Sequence, residues 1–190
     1  MICCQRQPIS AAHSRQQGFN LLELMMTLSV ATILLTIGVP SLQATIQNGR
    51  AATQINDLLA SIRLARSESV KTGRRVVLCK SDDEASCTTS GGYDQGWLVF
   101  VDLDQDATLD PVEPVLRVQG PLSGDQVLSG TSGVDNYIAF TSDGFARLID
   151  GSMQSGTLTL DLCLPGRGKR AIVIKPTGRT GVETVEASCS

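Results

Sequence analysis

The sequence predicts an α+β chain. One long N-terminal helix, membrane-spanning in its first half and amphipathic in its second, is packed by an antiparallel β-rich globular head. Three observations carry this. Residues 19–42 form an apolar run, FNLLELMMTLSVATILLTIGVPSL, whose single charge is Glu23. Beyond it Ile55, Leu58, Leu59, Ile62 and Ala65 recur at helical spacing. After Gly73 the period changes, and short β-type runs alternate with turn-rich pieces.

The apolar run comes first in the chain and is the most informative. At about 1.5 Å per residue it reaches roughly 36 Å, enough to cross a bilayer core of about 30 Å. Residues 1–18 carry Arg6 and Arg15 and no acid. Cations before an apolar span favour a cytoplasmic N-terminus. A secretory signal would have a shorter apolar stretch followed by a small-residue cleavage site. Here the run is longer and holds a carboxylate, and the suggestive break, Gly18, precedes it. Such a carboxylate costs on the order of a few kcal/mol in lipid unless headgroup water or a cation from another chain meets it.

Gly38 and Pro40 mark a bend in the helix. The amphipathic half runs on to about Lys71, its stripe weakening at Ser69, and Gly73 is the stop. Strands are expected at 75–79, 96–101, 115–118, 137–140, 157–163 and 171–175, separated by turns at 90–92, 129–133, 142–144 and 165–168. They make a sheet or sheets packed on the helix. The resulting domains are 1–18, 19–42, 43–72 and 73–190.

The stretch Gly18-Phe19-Asn20-Leu21-Leu22-Glu23 before an apolar run closely resembles the type IV prepilin signature. That resemblance implies a basic leader removed after Gly18 by a prepilin peptidase and N-methylation of the new Phe19 amine. It also implies pairing of Glu23 with the N-terminal amine of a neighbouring subunit during assembly. Cleavage there would leave 172 residues, no histidine, and a net charge of −5 in place of −3. Further along, Leu64-Ala65-Arg66-Ser67-Glu68-Ser69 followed by Val76-Val77-Leu78-Cys79 resembles the GspH/FimT family of minor pilins and pseudopilins. So do Gly96-Trp97, Glu113-Pro114-Val115-Leu116-Arg117 and Thr177-Gly178-Arg179. The fold this implies is the pilin-like lollipop.

Four cysteines remain beyond the leader: Cys79, Cys87, Cys163 and Cys189. On the periplasmic side disulfides persist. Pairing Cys79 with Cys87 and Cys163 with Cys189 closes two short segments, the rival being a Cys4 zinc site that lacks any C-x2-C pair. Asp102 to Glu113 places side-chain oxygens at positions 1, 3, 5, 9 and 12 of a calcium-type loop. Ala107 stands where such a loop wants glycine, and the flanks read as strands. The alternative is an acidic connection whose aspartates cap turns. No metal or cofactor is assigned.

Arg167, Lys169, Arg170, Lys175 and Arg179 lie in a stretch free of acids, a pattern that holds phosphates or simply solvates a hairpin tip. Some members of the resembling family bind DNA through a Gly-Arg-x-Arg motif. Here Gly178-Arg179-Thr180-Gly181 has one arginine of the two. Without histidine, the mature chain has no Ser-His-Asp or Cys-His mechanism, and nothing marks a nucleophile or cofactor loop, so no enzyme is expected. The resemblance implies a single-pass inner-membrane protein with a periplasmic head that enters a periplasmic or extracellular filament. Its partners would be the peptidase and other major and minor pilins or pseudopilins. Three roles follow: a minor pilin priming type IV pilus assembly for twitching motility and adhesion, the H-type minor pseudopilin of type II secretion, or a DNA-binding minor pilin for natural transformation.

Overall fold

The computed structural model describes residues 20–124, 126–161 and 169–185. A 52-residue helix α1 (Leu21–Thr72) leads into β1 (Arg75–Lys80), a short 3-10 turn (Tyr93–Gln95), β2 (Trp97–Asp102), β3 (Val115–Gln119), β4 (Val127–Gly130) and β5 (Tyr137–Phe140). Then follow β6 (Gly156–Asp161), β7 (Lys169–Ile174) and β8 (Thr180–Val185). The chain divides into two compact units, 1–43 and 44–190.

In the first unit the described residues are helical from Leu21 onward. The large apolar side chains Leu21, Leu22, Met25, Met26, Leu28, Ile33 and Leu34 are all exposed. The hydroxyls between them are satisfied inside the helix. Thr27, Ser29, Thr32 and Thr36 donate to the carbonyls of Leu24, Met25, Leu28 and Ile33 at 2.8–2.9 Å. No helix among the described residues is long and apolar enough to cross a membrane. The expected span, 19–42, begins outside them.

The second unit has two antiparallel four-stranded sheets, ordered β3-β2-β1-β5 and β4-β6-β7-β8. The helical stripe of Ala51, Ile55, Leu58, Leu59, Ile62 and Ala65 packs into one core. It meets Val76, Leu78, Val99, Ile138 and Phe140 of the first sheet and Leu128, Leu158, Leu160, Ile172 and Ile174 of the second. The stripe does not stop at Ala65. Ser69 is fully buried, its hydroxyl donating to Arg66 O at 2.8 Å, while Val70 is exposed.

The first sheet has a second covered face. Val77, Cys79, Leu98, Phe100 and Ala139 form a separate cluster with Ala107, Leu109 and Cys87 from the loops above. Burial on both faces is why β1 and β2 read as continuous apolar runs, not as alternation. The single tryptophan, Trp97, is fully buried, and its indole N–H donates to Ser61 Oγ at 2.9 Å.

Gly73 ends α1 in the left-handed region, φ +66, the usual helix-terminating geometry. Two elements depart from the sequence reading. Residues 129–133 are expected as a turn, but Ser129 and Gly130 belong to β4. β8 follows the Gly178 turn where no strand is expected beyond 175.

Candidate functional site

Glu23 lies in the first turn of α1, beside backbone N–H groups that have no intrahelical acceptors. The positive end of the helix dipole favours an acid there. The carboxylate is exposed, and among the described residues it has no hydrogen-bond or ion-pair partner. Its neighbours Leu21, Leu22 and Leu24 are exposed as well. The first unit therefore presents one acid within an apolar surface that the single chain leaves uncovered. Gly18 and Phe19, the expected processing residues, lie outside the described residues.

Cys79 and Cys87 form a disulfide with Cα atoms 5.7 Å apart. Cys163 and Cys189 lie outside the described residues. Within the loop that follows β1, Asp83 accepts from the amides of Ala85 and Ser86 and from the hydroxyls of Ser81 and Ser86. Those bonds hold its carboxyl well below the usual carboxylate range. The buried Lys80 ammonium donates to Thr89 O at 3.1 Å and Gly91 O at 2.9 Å, drawing the far end of the loop back onto β1.

The acidic loop brings carboxylate oxygens of Asp102, Asp104 and Asp106 within 4.8 Å of one another. Three carboxylates are already used by the backbone, Asp106 accepting from Thr108 N at 2.6 Å. Asp102 accepts from Gln105 N at 2.7 Å and Ala107 N at 3.1 Å. Glu113 accepts from Leu103 N at 2.6 Å and Asp110 N at 3.0 Å. This lays Ala107 and Leu109 over the outer face of the first sheet. Ala107 adopts φ +59, the left-handed conformation for which a calcium loop uses glycine. The arrangement fits the turn-capping alternative.

Of the basic segment, Arg167 lies outside the described residues. Lys169 and Arg170 are half-buried on β7, and Lys175 and Arg179 are exposed beside the turn into β8. That turn is fastened from beneath by a residue to which the sequence assigns no role. Arg66 of α1 donates from Nε to Gly144 O and from Nη2 to Thr177 O, both at 3.0 Å. One arginine thus ties the helix to a turn of each sheet. Its placement off the apolar stripe reads as a solvated charge, and only the Leu64–Ser69 resemblance marks it out.

Comparison with known proteins agrees with this architecture. Two crystal structures of the type IV minor pilin FimU from Pseudomonas aeruginosa, in different space groups, are similar to the chain. One aligns at 19% identity and TM-score 0.52 over 74% of this chain and 90% of FimU. The other aligns at 20% identity and TM-score 0.50, over 72% and 91% respectively. Among curated proteins none matches significantly. Residues 54–178 match the family model described as type II transport protein GspH. The matched segment runs from the buried helical stripe to the Gly178 turn that Arg66 holds, and the chain belongs to the GspH family of pilin-type subunits.

Proposed function

We propose that the chain is a minor subunit of a type IV pilus, cut after Gly18 by a prepilin peptidase and N-methylated at Phe19. The apolar residues 19–42 anchor it in the inner membrane with the head in the periplasm, until it enters the filament and primes assembly. The observation that carries this reading is the exposed Glu23 in the first turn of a helix whose apolar side chains are uncovered. In lipid or a filament core that acid needs a cation. A free N-terminal amine on a neighbouring subunit is the cation that processing would create. The internally bonded hydroxyls of Thr27, Ser29, Thr32 and Thr36 support burial of the same stretch, since no water is then needed to satisfy them.

Glu23→Val is expected to leave processing intact and to lower the protein's share of sheared filaments. Equal recovery of variant and parent refutes the pairing role. Gly18→Glu is expected to leave the precursor uncut, and a normal mature mass in membranes counts against the leader.

A second reading has the family description in its favour: the H-type minor pseudopilin of a type II secretion machine. The two separate by phenotype. Loss of the chain abolishes surface pili and twitching in the first case, and export of folded periplasmic proteins in the second.

A further inference from the structure

We propose that the cavity between the end of α1 and the first sheet is a binding site for a small oxyanion, held by Arg74 and Arg75. The cavity measures about 200 Å³, and its lining includes Gly73, Arg74, Arg75, Asp102, Thr141 and Ser142. A water molecule occupies about 30 Å³, so a tetrahedral oxyanion fits with solvent to spare. Arg75 is 7% exposed, and its Nη2 donates to Arg147 O at 2.9 Å. Its Nε is buried without a hydrogen-bond acceptor. A buried guanidinium N–H without a hydrogen-bond acceptor is costly, and an anion is its strongest acceptor.

Asp102 does not fill that role. Its Oδ2 forms a buried ion pair with Nε at 3.6 Å, but stands beyond hydrogen-bond range. Both of its oxygens are turned to backbone amides, those of Gln105 and Ala107. The second arginine, Arg74, is exposed and makes no hydrogen bond or ion pair among the described residues. Two arginines against one committed carboxylate leave the lining with a net charge of +1. Thr141 does not contribute a donor, because its hydroxyl is spent on Asp143 and Phe145 O. The carbonyl end of α1 disfavours an anion there, but by less than one charge-assisted hydrogen bond returns. Every residue of the site belongs to the head, and only a carboxylate source on a neighbouring subunit rests on the filament reading.

The resident oxyanion has two sources, free inorganic phosphate or a carboxylate presented by a neighbouring subunit. The test uses the full chain in detergent, titrated with sodium phosphate and, separately, sodium acetate, each against sodium chloride at matched ionic strength. Saturable binding is expected, by calorimetry or as a rise in melting temperature. Arg74→Gln, which alters an exposed side chain, is expected to weaken it about tenfold or more. Arg117→Gln, elsewhere on the head, should leave it unchanged. Binding of phosphate alone assigns free phosphate, and comparable binding of acetate assigns a subunit carboxylate. Absence of saturable binding of either anion overturns the proposal, as does binding that survives Arg74→Gln undiminished.

Discussion

Arg66 and the glycines beneath it carry more of the head's stability than their exposure implies. Arg66→Ala leaves Gly144 O and Thr177 O without their guanidinium donor. Unfolding stability is expected to fall by about 1–3 kcal/mol, read as a lower urea midpoint with an unchanged slope. Arg66→Lys should recover only part, because an ammonium lacks the planar fork that reaches two carbonyls. Gly178 and Gly73 make a sharper pair. Both have positive φ, +74 and +66. A Cβ on Gly73 would meet nothing within 4 Å, whereas on Gly178 it would lie 2.2 Å from Gly144 O and 2.9 Å from Arg66 Nε. Gly73→Ala is therefore expected to cost about 1 kcal/mol of backbone strain. Gly178→Ala must cost more, because backbone has to move as well. Equal melting temperatures for the two variants would show that the Arg66 junction is slack.

Elements were legible in the sequence in proportion to the apolar surface they bury. The stripe of α1 and the runs of β1 and β2 declare themselves because each faces a dry core, β1 and β2 on both sides. β4 buries only Leu128, and it contains Gly130, which reads as a turn residue. That glycine is there for proximity: a Cβ would come 2.5 Å from Val134 O. β8 is an exposed edge strand held by its ladder to β7, so its sequence has no core to alternate toward. The Cys79–Cys87 pairing was legible because the two lie only eight positions apart. The loop's other fasteners, Lys80 and Asp83, were not, since a carbonyl-bound ammonium leaves no pattern in composition. The disulfide is expected to contribute about 2–3 kcal/mol for a loop of this size. In the Cys79→Ser/Cys87→Ser double variant, amide exchange should quicken across residues 81–92 before it does in β2. Unchanged protection there would place the burden on Lys80 and Asp83.

At the scale of the whole molecule, the aspartates whose ionisation folding shifts fall into two groups with opposite needs. Asp83, Asp143 and Asp150 are exposed carboxylates whose local hydrogen bonds favour the charged form, so each sits below the ordinary 3.8. A carboxyl lowered by folding stabilises the native state above its unfolded pKa, and that contribution is lost as pH falls through the folded value. Asp102 runs the other way. Burial raises it despite two amide bonds and Arg75, so its contribution is greatest below 3.8 and is lost as pH rises through the folded value. The three exposed aspartates outnumber it, and the head is expected to weaken on acidification below about pH 4. Asp83→Asn should flatten that fall while lowering stability at neutral pH. Asp102→Asn should steepen it, because the one group that gains from acid is then gone. Urea midpoints taken from pH 6 down to pH 3 distinguish these outcomes, and parallel curves for the two variants would mean that neither loop couples its ionisation to folding. The same contrast bears on the acidic loop. A carboxylate that folding buries and saturates with amides is positioned to shape a loop over a sheet, so spacing that resembles a cation loop in the sequence serves here to cap turns.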